Sequence, residues 1–218
     1  MIKQSILLQV GFLMYKKTLI SFGGQPILKI STGEFLNKKE LDHIKKIPYV
    51  KHNESDTMLS VEDSILNHKK LKRIKDIVWS EFCEYVDQVL EVEDDFYMSN
   101  SWCTLQKKGG SHPYHNHPGS IFSSTYYAQA HNGSLSFSTP ESIIQSGFNF
   151  DYKIKNYNYF NSLTWKIPIT TGDLIIFPAN ISHESGKHEG PETRIMLGAS
   201  YFIKGKLGFK EKYNQMDI

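Results

Sequence analysis

The sequence predicts a mainly β protein with N-terminal helices, an α+β chain in which an antiparallel sandwich or barrel is backed by helices. Three observations carry that prediction. Apolar residues in the first half recur at steps of three and four, the helical period. From "FYMSNSWCTLQ" onward the chain changes to short runs rich in Tyr, Phe, Ile, Thr and Ser, separated by Gly, Asn and Pro, which is the pattern of strands and turns. The two patterns follow one another instead of alternating, which argues against βαβ units.

The first element is the most ambiguous. "MIKQSILLQVGFLMYKK" has a basic start and a short apolar run, but it lacks a small-residue cleavage site and is interrupted by Gln9 and Gly11. It also falls short of the roughly 20 apolar residues a membrane span requires, so an opening strand or hairpin is expected. "STGEFLNKKELDHIKKI" places Leu41, Ile44 and Ile47 on one side, and "PYV" ends the pattern; a short amphipathic helix follows. In "SVEDSILNHKKLKRIKDIVWSEFCEYVDQVLEV" the stripe Leu71, Ile74, Ile77, Val78, Phe82, Tyr85, Val86 and Val89 predicts the longest helix, lying against an apolar surface. Strands are expected in "SWCTLQ", "SSTYYAQA", "SLSFSTP", "LTWKIPI", "DLIIFPA" and "RIMLGASYFI", with turns at "HNGS" and "TTGD". The Asn-, Tyr- and Phe-rich insert over 141–162 is long for a loop within a compact domain, and suits a substrate lid or an added hairpin equally. With no repeat or low-complexity linker, residues 1–218 are expected to form a single domain: N-terminal strands and supporting helices over 1–95, the strand-rich core over 96–205 and a tail over 206–218.

Bulk composition excludes several classes. At 218 residues, 39% hydrophobic and 22% charged, the chain is long enough for a full core and is neither disordered nor fibrous. A formal net charge of +2 marks a nearly balanced surface, and the lysines of "NHKKLKRIK" alternate with apolar residues at helical spacing. They read as a solvated face, so neither a nucleic-acid nor a membrane partner is expected. The two cysteines, Cys83 and Cys103, form no CxxC or disulfide framework and predict reduced thiols in a cytoplasmic setting. Nothing in the sequence fixes the oligomeric state; a homodimer fits as well as a monomer.

Chemistry concentrates in "SHPYHNHPGS", which holds His112, His115 and His117 of only nine histidines. In an extended stretch His115 and His117 leave the same face while Asn116 points away, so the pair could grip one metal ion; His112 stands an odd number of residues from His117 and would face away. An H-x-H pair alone is also compatible with ordinary surface or core histidines. Further on, "TTGDLIIFPANISHESGKHEGPETRIMLGASYFI" orders a turn, a strand, His183, a polar loop and Arg194 at the head of an apolar strand. The spacing allows His183 and Arg194 to occupy adjacent antiparallel strands. An inward Arg194 would need a carboxylate from the fold or from a ligand, because an unpaired buried charge is expensive. Asp173 in "TGDL" reads as a turn residue making local hydrogen bonds, not as a ligand. His131 and His188 lie beside turns, and His43, His52 and His68 read as surface.

The segments "HNHPGSIFSSTYYAQA", "GDLIIFPANISHES" and "TRIMLGASYFI" together resemble the Fe(II)/2-oxoglutarate-dependent dioxygenase superfamily, and most of all its branch of oxygenases from marine bacteria and phages. The resemblance runs over most of the chain from about "QPILKIS". It implies a double-stranded β-helix, the cupin-like jelly roll, over 96–205. It also implies His115, His117 and His183 as iron ligands, with Arg194 binding the C5 carboxylate of 2-oxoglutarate and O2 as the oxidant. The implied activity is hydroxylation of an amino-acid or peptidyl side chain, prolyl among them, with release of succinate and CO2 from a small-molecule or peptide substrate.

Two departures stand out. His117 occupies the place where most of the superfamily has a carboxylate, so the three imidazoles would leave the full charge on the metal. Met196 stands where many relatives carry Ser or Thr. On "FSSTYYA" the alternating Ser123, Thr125 and Tyr127 put three hydroxyls on one face, and Tyr127 or Ser123 is expected to serve the oxoglutarate carboxylate in its place; a plain core role for Tyr127 is the alternative. Two rival functions remain at this level: a three-histidine cupin-like dioxygenase that uses no 2-oxoglutarate, and a non-catalytic metal-binding jelly roll. Both leave Arg194 without a task.

Overall fold

The structure is a computed structural model describing residues 16–22, 25–53, 55–139, 153–158 and 161–218. The expected opening strand or hairpin over 1–17, apart from Lys16 and Lys17, and most of the 141–162 insert lie outside the described residues.

Strand β1 (Lys16–Phe22) and strand β2 (Gln25–Ser31) form a hairpin. Helix α1 (Lys38–Ile44) starts with a capping box: Asn37 accepts from the Glu40 amide while the Glu40 carboxylate accepts from the Asn37 amide. Strands β3 (Tyr49–Lys51) and β4 (Thr57–Ser60) follow. Helix α2 (Lys72–Tyr85) carries the predicted stripe, with Leu71, Ile74, Val78, Phe82, Tyr85 and Val86 all buried. It is shorter than the periodic segment suggests. Residues 65–71 form two single 3-10 turns, and the Leu66 amide donates to Ser101 Oγ at 3.0 Å, which ties this stretch to a strand instead of to a continuous helix. At the other end a π-helical turn over Val86–Leu90 stops at Glu91, held at a φ of 51°. The two helices are locked together by Arg73 of α2, which donates bidentately to the buried Glu40 carboxylate.

The remaining strands are β5 (Asp95–Gln106), β6 (His112–His115), β7 (Phe122–Gln129), β8 (Gly133–Ser138), β9 (Thr164–Ile169), β10 (Asp173–Pro178), β11 (Ser182–Ser185) and β12 (Arg194–Lys204). A small hairpin of β13 (Lys206–Leu207) and β14 (Met216–Asp217) occupies the expected tail. An eight-stranded antiparallel sheet in the order β1-β2-β10-β7-β12-β5-β4-β3 faces a four-stranded one in the order β6-β11-β8-β9. This is the expected jelly roll, with one extension: β2 pairs directly with β10, so residues before 95 complete the large sheet as well as supporting it.

Strand alternation creates two apolar layers. On β12, Ile195, Leu197, Ala199 and Tyr201 face the helices, where the Phe82 ring stacks on Tyr201 at 3.6 Å between centroids. The opposite face of the sheet sends Tyr127, Ile175, Phe177 and Met196 into the space between the sheets, against Leu135, Phe137, Ile167 and Ile169. Arg194, Met196, Gly198 and Ser200 therefore line the interior. Among the described residues no helix is long and apolar enough to cross a membrane. Both cysteines are free, as expected.

Candidate metal centre

The three predicted histidines meet between the two sheets. His115 ends β6 and lies opposite His183 of β11 in the four-stranded sheet. His117 lies just beyond β6, so only His115 of the expected H-x-H strand pair is in a strand. It is fixed where its amide donates to the Ala179 carbonyl at 2.9 Å. Within this group the ligating atoms all lie within 4.8 Å of one another.

Hydrogen bonds set the tautomers. His115 Nδ1 is 2.8 Å from the Pro113 carbonyl and His183 Nδ1 is 3.1 Å from that of Ile181. A carbonyl only accepts, so in both rings Nδ1 holds the proton and Nε2 keeps its lone pair. Facing His183 Nε2 at 3.2 Å is His117 Nε2, which donates to it in the absence of a cation. Burial, reinforced by the neighbouring rings, depresses all three: His117 is down to about 4 and His183 well below the ordinary histidine value. The group is thus neutral at pH 7: Nε2 of His115 and of His183 carries no proton, and a metal requires only that the His117 proton pass from Nε2 to Nδ1.

Dimensions agree with the donor set. Imidazole nitrogens about 2.1 Å from a transition metal and at right angles to one another stand about 3 Å apart, close to the separation of the two Nε2 atoms. Phe177 and Phe137 wall the site, their rings 4.6 and 5.9 Å from that of His183. No carboxylate joins the group among the described residues. Asp173 is fully engaged elsewhere: it is buried, paired with Lys29 at 3.0 Å, and accepts from Ser31, the Thr170 amide and the Thr170 hydroxyl.

Arg194 lies in the same interior but not where the spacing placed it. His183 belongs to the small sheet and Arg194 to the large one, because residues 186–193 cross between sheets, so the two face each other across the sandwich instead of pairing side by side. Its guanidinium is fully buried. Nη1 donates to Gln106 Oε1 at 3.1 Å and to the Gly186 carbonyl at 3.0 Å. Among the described residues Nε and Nη2 have no partner and no carboxylate pairs with the charge. Nη2 reaches into space left by Gly133, where a Cβ would stand 2.5 Å from it. A buried cation with two idle donors is the arrangement expected when a ligand supplies the anion.

Register separates the two predicted hydroxyl residues. Met196 lies opposite Tyr127, two positions from Arg194, whereas Ser200 lies opposite Ser123, six positions away. Tyr127 is fully buried and its hydroxyl has no partner among the described residues; burial raises its pKa and lowers that of Arg194, and the interaction between the two partly offsets both shifts. Ser123 is instead bonded to Ser200 at 3.2 Å and is not brought to the arginine.

Several residues at the site carry no motif. Gln106 holds Arg194 with its carbonyl while its amide donates to Thr57 at 3.0 Å and Ser185 at 2.7 Å; alternation along "SWCTLQ" puts it on one face with Thr104 and Trp102. His112, which alternation turned away, packs its ring 4.2 Å from that of His115, and His52, expected at the surface, packs 4.6 Å from His112. His43 and His68 are likewise not free at the surface: they are hydrogen-bonded to each other at 2.7 Å.

Comparisons place this geometry among known proteins. Residues 100–199 match the family described as "Putative 2OG-Fe(II) oxygenase". HygX from Streptomyces hygroscopicus, solved with nickel and 2-oxoglutarate bound, superposes with a TM-score of 0.56 at 9% identity over 83% of each chain. A 2OG-Fe(II) oxygenase-family oxidoreductase from Burkholderia pseudomallei gives 0.52 at 11% identity over 76% of this chain and 79% of that one. A Pseudomonas putida prolyl-4-hydroxylase gives 0.50 at 11% identity over 76% and 82%. At such identities these neighbours establish the fold. No curated protein sequence matches the chain.

Proposed function

We propose, from the match of residues 100–199 to the 2OG-Fe(II) oxygenase family, that the protein holds Fe(II) on His115, His117 and His183 and binds 2-oxoglutarate between that metal and Arg194. Bound iron, with 2-oxoglutarate and O2, supplies the oxidative decarboxylation that yields succinate and CO2 and drives oxidation of a substrate C–H bond. The remaining work falls to the chain. Three neutral imidazoles leave the charge of the metal uncompensated, and Arg194 adds another buried cation. A dianionic ligand with one carboxylate at each end matches both.

The observation that carries this reading is the pair of unpartnered donors on Arg194, in a fully buried position and joined by the unpartnered Tyr127 hydroxyl. Gln106 fixes the guanidinium without neutralising it: its carbonyl accepts from Nη1 but carries no charge, and its amide nitrogen, donating to Thr57 and Ser185, holds it in that orientation. Phe137 and Phe177 exclude water from the metal side. A three-histidine dioxygenase without 2-oxoglutarate, or a metal-binding jelly roll without turnover, would leave this buried charge unexplained.

For the reaction we favour hydroxylation of a small molecule or a peptidyl side chain, amino-acid side chains first. The test is succinate formation from 2-oxoglutarate with Fe(II) and ascorbate, together with a gain of one oxygen atom in a screened substrate by mass spectrometry. Succinate formation that requires Fe(II) and is lost in Arg194→Met is expected. No binding of 2-oxoglutarate to the metal-loaded protein would end the reading.

A further inference from the structure

The three histidines are not held alike. His115 and His183 are each tethered through Nδ1 to the carbonyl two residues before them. For His117 the only ring hydrogen bond among the described residues is the one to His183 Nε2, and that bond disappears once both nitrogens face a cation. Something else must set the angle of the His117 ring. The Trp102 indole lies beside it, 5.1 Å between centroids with the planes inclined by 41°, while Phe177 is further off at 6.3 Å.

Trp102 is itself seated by a glycine. On β12, Gly198 lies opposite Trp102, and a Cβ built at Gly198 would overlap the indole, with Nε1 2.7 Å away. The ring thus lies flat on the bare backbone of β12, a position open to it only because residue 198 has no side chain. The neighbouring interior positions of the same strand carry Arg194, Met196 and Ser200.

We infer that Trp102, seated on Gly198, is a positioning residue that holds the His117 imidazole at ligating angle, replacing the hydrogen-bonded tether the other two histidines possess. The inference rests on His117 being a metal ligand, as proposed above. Partners that orient metal ligands typically change affinity 10–100-fold when removed. Trp102→Ala is expected to weaken Co(II) binding at least about tenfold and to shift the Co(II) visible spectrum, while Trp102→Phe, which keeps an aromatic face, stays within about threefold of wild type.

Gly198→Ala should reproduce the Trp102→Ala spectrum with the tryptophan still present, because the new methyl displaces the indole. Should Gly198→Ala fold poorly, the double variant Trp102→Ala/Gly198→Ala has room for the methyl. It is expected to recover the melting temperature without recovering the affinity, and that divergence separates positioning from packing. Metal binding to Trp102→Ala with unchanged affinity and spectrum, alongside saturable binding by wild type, overturns the role of Trp102 and leaves the proposed function standing. Wild-type protein that binds no Co(II) or Fe(II) overturns both.

Discussion

The two ends of the interior are built on opposite terms. At the histidine end each ring has a hydrogen bond within the protein: carbonyls hold two of the rings and the third donates to His183. At the arginine end two donors and a phenol hydroxyl are buried with no answer. Without ligands, the first end is electrically neutral, and the second is charged and, among the described residues, deficient in acceptors. The contrast teaches that stability and function are separable here: removing a group from the histidine end should harm binding, while removing one from the arginine end should harm binding and relieve the empty protein.

The sharpest break is His183→Ala. It removes the most buried of the three proposed ligands, and affinity for Mn(II) or Co(II) should fall by more than about 100-fold, beyond the range typical of partners outside the ligand set. A metal-dependent rise in melting temperature, expected of the wild type by mass action, should vanish in the variant; its persistence would move the metal elsewhere.

Arg194→Met comes next. Hydrogen bonds to charged groups contribute about 1.5–3 kcal/mol, so 2-oxoglutarate affinity should drop by roughly 10–100-fold, with metal affinity nearly unchanged. Replacing an unneutralised buried cation with an apolar residue is often neutral or stabilising. The ligand-free variant should accordingly melt no lower than wild type. A large loss of stability in calorimetry would show that Gln106 and the Gly186 carbonyl had already compensated the charge.

Tyr127→Phe sharpens the same end. Loss of one neutral hydroxyl should reduce 2-oxoglutarate affinity by roughly 3–10-fold, the worth of about one hydrogen bond, and leave succinate yield per turnover intact. Equal affinity in isothermal titration would assign Tyr127 to the core alone.

A further test concerns acidity. His117 titrates near 4 in the fold and near 6.5 when unfolded, with His115 and His183 shifted in the same direction. Above 6.5 both states are neutral and the shift costs nothing. As pH falls below 6.5 the unfolded chain takes up protons that the folded one refuses, so stability declines towards pH 4. Saturating metal should hold the folded rings neutral further down. A ligand-free melting temperature that is flat over that interval would contradict the burial of the three rings.

Much of the site could be read from residue order alone, because H-x-H, a distal histidine and an arginine heading an apolar strand are local patterns. Alternation along "FSSTYYA" also assigned Ser123 and Tyr127 to the inner face. It gave no way to choose between them, since their distance from Arg194 depends on the register of β7 against β12, a non-local quantity. The same limit explains the placement of His183 and Arg194. Their separation suits neighbouring strands, and only the crossing of the intervening loop puts them on opposite sheets. His52 read as surface because its partner, His112, lies far along the chain. Trp102 and Gln106 carry no motif, and their roles come from what β12 presents to them.

The pairing of β2 with β10 has a kinetic consequence. Ser31 and Asp173, hydrogen-bonded across that ladder, are 142 residues apart, and His117 must meet His183 over 66. Contacts this distant incur the loop-closure entropy before they are rewarded, which slows folding, whereas α2 forms within a single segment. During refolding, helical circular dichroism should therefore recover before the capacity to capture a metal ion, making ion capture a timer for the last closure of the chain.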